Sequence, residues 1–83
     1  MEADIVDRVK TDFRGQSNQA LELLGAFELA YNLSSRVTRC IVVLSKGDIS
    51  KLNDWINEAK VDWRDVIDEA EEKSFQYKTP FES

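Results

Sequence analysis

Residues 60–72 read KVDWRDVIDEAEE and set six carboxylates against two basic groups. On a helical projection Trp63, Val66, Ile67 and Ala70 share one arc, and Asp62, Asp65, Glu69 and Glu72 line the arc beside it. Such a row of carboxylates has three chemical uses. It can help hold a hard cation, which takes several oxygen ligands. It can share acid and base work, provided that two environments push the carboxyl pKa values apart. It can also meet a basic partner. A single helix rarely wraps a metal unaided, and carboxylate bundles that bind two metals usually add histidines, of which this chain has none. The same absence removes the commonest proton shuttle. The plainest reading needs no site: an ordinary helix with a hydrated acidic face.

Two further groups bear on chemistry. Cys40 is the only cysteine, with Arg36 one turn earlier and Arg39 adjacent. Nearby positive charge activates a thiol that is partly exposed, but Cys40 falls on an apolar face beside Ile41, where a cysteine serves as a small buried hydrophobe. The C-terminal stretch SFQYKTPFES places Phe75, Tyr77 and Phe81 among ten otherwise polar residues. A tail with that many aromatics either lies across a groove on its own domain, the reading preferred here, or docks onto a partner.

Composition narrows the classes. The chain has 83 residues, with 16 acidic and 11 basic side chains and a formal net charge of −5. Nucleic acids and anionic membranes are bound largely through Lys and Arg, so both are disfavoured as partners. Residues 39–58 fit a helix-turn-helix outline, yet the reading helix would present Asp54 and Glu58 to phosphates. One cysteine allows no internal disulfide, and MEADIVDRVK lacks the apolar run of a signal peptide. A cytoplasmic protein is expected. No cofactor is implied.

The elements that must carry these groups follow from hydrophobic spacing. Ile5, Val6, Val9 and Phe13 predict a helix over residues 3–13, ended at Gly15. Ser17 is the expected cap of a second helix carrying Ala20, Leu23, Leu24, Phe27, Ala30 and Tyr31, with Gly25 inside it either at a cost or to let another helix approach. Ser34 or Ser35 starts a third, RVTRCIVVLSK, whose run Ile41-Val42-Val43 also fits a short strand. Helix is preferred because a lone strand has no partner in this chain, and the extra β-branched residues mark this helix as the most buried. Gly47 and Asp48 stop it and cap the next, which carries Ile49, Leu52, Trp55, Ile56 and Ala59.

Whether that fourth helix continues to residue 72 is contested by its own sequence. The hexapeptide DWINEA at 54–59 returns as DVIDEA eleven positions later, close to three helical turns, which favours continuity. Asp62 with Asp65 resembles a capping box, and Val61 with Val66 has the spacing of a hydrophobic staple, which favours a break near residues 60–62 and a fifth helix. The break is preferred. Arg36, Arg39 and Lys46 lie in an acid-free span, so helices three and five are expected to pair their rims, and Arg64 to pair with Asp68.

From Arg36 to Glu71 the chain resembles a family of small uncharacterised bacterial proteins. The resemblance rests on RCIVVLSKGDISKL at 39–52, on DWRDV at 62–66 and on Ala70-Glu71. The family pattern carries aromatic residues just before Ala70 and just after Glu71, where this chain has Glu69 and Glu72. The resemblance implies no activity.

The sequence therefore predicts an all-α protein: a compact bundle of four to five short helices over residues 1–73, followed by a non-helical aromatic tail at 74–83. The core is expected from Ile5, Val9, Phe13, Leu24, Phe27, Val37, Ile41, Leu44, Leu52, Ile56, Val66 and Ile67, with both tryptophans at least half buried. On that basis Trp63→Ala is expected to cost roughly 3–5 kcal/mol. The expected function is a non-catalytic protein–protein interaction module, hetero- or homo-oligomeric, using Asp62, Asp65, Glu69, Glu72, Phe75, Tyr77 and Phe81. A carboxylate-based enzyme or metal-binding protein using residues 62–72 is the alternative.

Overall fold

The computed structural model describes residues 1–73; the expected tail, with Phe75, Tyr77 and Phe81, lies outside the described residues. Among the described residues every regular element is helical: α1 (Ala3–Phe13), a 3-10 turn (Arg14–Gln16), α2 (Ser17–Tyr31), α3 (Ser35–Ser45) and α4 (Ile49–Glu72). They pack into a compact body with a radius of gyration of 11.2 Å.

At the centre lies α3, buried continuously from Val37 to Ser45. A helix covered on all sides needs apolar residues on all sides, which the run Cys40 to Leu44 supplies. This packing overrides the strand preference of Ile41, Val42 and Val43. The other elements wrap it with one face each: Ile5, Val9 and Phe13 from α1, Ala20, Leu24 and Phe27 from α2, and Leu52, Ile56, Ala59, Val66 and Ala70 from α4. Ile67, expected in the core, is only partly buried and packs against its edge.

The connections show which local signals decide a turn. Asp48 caps α4, its Oδ1 accepting from the backbone N–H groups of Ser50 at 2.8 Å and Lys51 at 3.1 Å. Gly47 has φ +77° and presses against α1, so that a Cβ there would overlap the carbonyl oxygen of Asp12. The end of α1 departs from expectation: Arg14, not Gly15, takes the positive φ of 48°. Ser17 is likewise the first residue of α2 and not its cap, which is Gln16 without a side-chain hydrogen bond. Gly25 has open space where its side chain would be, so no helix exploits its absence.

The break in α4 falls at Asp62, whose φ of −152° and ψ of 96° leave the helical region. Its Oδ1 accepts from the Arg64 N–H at 3.0 Å and so caps the segment that follows. The staple expected beside it does not form, because Val61 is 85% exposed while Val66 is fully buried. An unbroken stripe would continue from Ile56 and Ala59 through Trp63 to Val66. The break shifts Trp63 out of that stripe, leaving it 39% exposed with the Arg64 guanidinium 5.5 Å from its ring centroid. Trp63 is thus more than half covered but lies outside the core.

Three substitutions test this account by urea unfolding. Gly47→Ala should lose about 1–3 kcal/mol, from positive φ and the clash with Asp12. Gly25→Ala should gain about 0.5–1 kcal/mol, as expected for open space in a helix interior. Trp63→Ala should cost only about 1–2 kcal/mol, the value of partial burial, and a loss above about 3 would return Trp63 to the core.

Candidate functional site

A straight helix of 24 residues would be about 36 Å long. The chain does not stay straight, because it leaves helical geometry at Asp62. The reversal at Asp62 brings Lys51, near the start of α4, and Lys73, just past its end, to the lining of one recess. Residues 49–61 and 63–72 therefore form two limbs of a hairpin, and the site lies between them.

Asp54, Trp55 and Glu58 from the first limb and Asp65 and Glu69 from the second line a recess of about 350 Å³. An adjoining recess of about 340 Å³ shares Asp54, Trp55 and Glu69 and adds Leu44, Lys46, Lys51 and Lys73. Both volumes fall at the small end of the range for ligand pockets, roughly 300–1,000 Å³. Half-buried Trp55 lies between them as a shared wall. Of the four carboxylates, Glu69 has an ion-pair partner among the described residues, Lys73 Nζ at 3.3 Å.

Of the expected partner-binding set, the structure brings Asp65 and Glu69 to one recess. Asp62 serves as the cap at the break. Glu72 is exposed and does not line the recess. Phe75, Tyr77 and Phe81 lie outside the described residues. The sequence reading missed Asp54, Trp55 and Glu58 as site residues, although their signal was present in the repeat. In DWINEA and DVIDEA, Asp54 corresponds to Asp65 and Glu58 to Glu69. Each limb thus offers an Asp and a Glu one helical turn apart, and the hairpin turns the two pairs toward one space. Among the described residues no group of three or more His, Cys, Asp or Glu side chains is placed to hold a metal ion.

One basic residue of α3 reaches far along the chain. Arg39 is 4% exposed and donates to the N-terminal acids. Its Nε reaches Asp4 Oδ2 at 3.0 Å and one terminal nitrogen reaches Asp4 Oδ1 at 3.1 Å, a bidentate pair; that nitrogen also contacts Glu2 Oε2. The hydrogen bonds that Arg39 donates to Asp4 raise its pKa above the ordinary value, against desolvation and with Glu2 adding to the effect. A raised basic pKa stabilises the fold fully below the unfolded value and loses that contribution only as pH climbs through the folded one. Arg39 therefore stays charged, and its ion pair intact on its own side, across the neutral range. Ser35 donates to Glu2 Oε1 at 3.1 Å and Thr38 to Glu28 Oε2 at 2.9 Å, tying α3 to α1 and α2 through polar contacts as well.

These pairs leave Cys40 without activation. The thiol is fully buried, and burial pushes its pKa up to about 12 although Arg36 opposes the shift. A thiol is a weak nucleophile in that state. Native protein at pH 8 should be unreactive toward a chromogenic disulfide reagent and should react stoichiometrically in denaturant; fast labelling of the native form would contradict the burial. Comparison with known proteins finds no matching family model, no matching curated protein and no matching solved structure.

Proposed function

We propose that this protein is a non-catalytic interaction module of the bacterial cytoplasm, a bundle of four to five short helices with an aromatic tail, that receives a basic segment of another protein between the limbs of α4. The observation that carries this reading is the convergence of Asp54, Glu58, Asp65 and Glu69 around the half-buried ring of Trp55. Two carboxylate pairs repeated across a groove suit two cationic side chains, and an aromatic wall offers their alkyl stems an apolar surface and a cation–π contact. A second copy of the chain is a poorer occupant, since it brings a net charge of −5 of its own. No helix among the described residues is long and apolar enough to cross a membrane.

The rim of the groove supports recognition and not chemistry. No Ser, Thr, Cys or His side chain lines either recess, and Cys40 is enclosed in the core. Outside the groove, exposed Tyr31, Val61 and Trp63 extend the contact surface, Tyr31 with Lys60 Nζ 6.0 Å from its ring centroid.

The test compares two variants of equal net charge, titrated with a short synthetic peptide of alternating lysine and leucine and followed by tryptophan fluorescence. One neutralises the groove (Asp54→Asn, Glu58→Gln, Asp65→Asn, Glu69→Gln). The other neutralises as many acids elsewhere (Asp7→Asn, Glu22→Gln, Asp68→Asn, Glu72→Gln). The groove variant should lose about tenfold or more in affinity and the control much less. Equal losses would reduce the effect to net charge and overturn the reading.

A further inference from the structure

The recesses on either side of Trp55 differ in sign. The first is lined by Asp54, Glu58, Asp65 and Glu69 and by no basic side chain. The second sets Lys46, Lys51 and Lys73 against Asp54 and Glu69. The hairpin produces this order: Lys51 and Lys73 share the recess at its open end, Asp54 and Glu69 line both recesses, and Glu58 and Asp65 belong only to the one toward Asp62. Glu69 is held by Lys73, whereas Glu58 and Asp65 have no ion-pair partner among the described residues. The groove is therefore negative toward the break and carries its cations at the other end. Such a surface selects the order of charges in what it binds as well as their number.

Its length sets the spacing of those charges. Helical rise is about 1.5 Å per residue, so Lys51 and Glu58 are about 10 Å apart along one limb and Lys73 and Asp65 about 12 Å apart along the other. In an extended peptide, side chains at positions i, i+2 and i+4 lie on one face and span about 13 Å. Three side chains of such a peptide thus match the acidic end, the wall of Trp55 and Leu44, and the lysine end in turn.

We infer that the segment received by this groove carries a carboxylate as well as cations: a Lys or Arg, an apolar residue two positions away and an Asp or Glu two positions beyond that, in either chain direction. This specificity rests on the interaction site proposed above. The cation sits between Glu58 and Asp65, the apolar side chain lies against Trp55 and Leu44, and the carboxylate meets Lys46 and Lys51. A segment with cations throughout fills the acidic recess but sets like charge against the lysines. The groove therefore ranks a mixed sequence above a more basic one.

The experiment titrates the full chain with three capped peptides, followed by tryptophan fluorescence: Lys-Ser-Lys-Ser-Leu-Ser-Glu, the same peptide ending in Gln, and the isomer Glu-Ser-Lys-Ser-Lys-Ser-Leu. The first should bind about two- to fivefold more tightly than either of the others, the range of an exposed ion pair. Net charge alone predicts that the glutamine peptide binds better than the glutamate one, since it is the more positive and the protein carries −5. The variant Lys46→Gln, Lys51→Gln should lose the preference for glutamate, while Lys10→Gln, Arg14→Gln, with the same change in charge at exposed positions, should keep it. Equal binding of the three peptides to wild type overturns the inference, and so does a preference for glutamate that survives in the Lys46, Lys51 variant. The lysine–leucine peptide separates this failure from that of the site. If it binds through the groove carboxylates while glutamate confers no advantage, the site stands and the charge order falls; if no peptide binds, both fall together.

Discussion

One residue of extended backbone organises the functional half of this molecule. At Asp62 the chain leaves helical geometry and returns to it within a single position, with the Asp62 carboxylate supplying the first acceptor of the new helix. What would otherwise be a rod becomes a hairpin packed against α3. Everything in the groove follows from that reversal: the shared wall at Trp55, the opposition of two Asp-Glu pairs, and the return of Lys73 to the neighbourhood of Lys51. Cap and break are coupled, since a helix restarted in water needs an acceptor for its first N–H groups and aspartate is a good one.

Burial of α3 on all sides imposes the second constraint. A helix so placed cannot present a polar residue cheaply, yet Thr38, Arg39 and Ser45 are all buried. Each is matched: Ser45 donates to the Ile41 carbonyl at 2.6 Å, Thr38 to Glu28, and Arg39 to Asp4 and Glu2. Among the described residues no buried side-chain nitrogen or oxygen lacks a partner. Charged pairing at such a place contributes more to selecting one arrangement of helices than to net stability, because desolvation offsets much of the attraction.

How much of this was legible depended on whether a signal was local. Helical spacing located core residues in every helix, with Ile67 misplaced at the edge, and Asp48 announced a cap that forms as expected. The break at 60–62 was readable from Asp62 because a cap is a local contact. Its consequence for Trp63 was not, since a periodic stripe reads as continuous whether or not the chain reverses beneath it. The same blindness hid Asp54 and Glu58, whose meaning arises only when the second limb returns. Arg39 was assigned to acids near in charge pattern and found its partners 35 and 37 positions away, a pairing that topology alone decides. At the end of α1 the pattern named glycine for the positive φ and the chain used Arg14, against intrinsic preference.

The clasp between Arg39 and the first residues of α1 also sets an order of events during synthesis. The acids emerge early, but the guanidinium that holds them is added only after 35 further residues, once α2 has been made. Until then α1 has no buried cation to anchor it, and its apolar face waits for a core not yet translated. The N-terminal helix is therefore locked only after α3 has followed it, although it is the first to leave the ribosome, and closing that loop carries a cost in chain entropy.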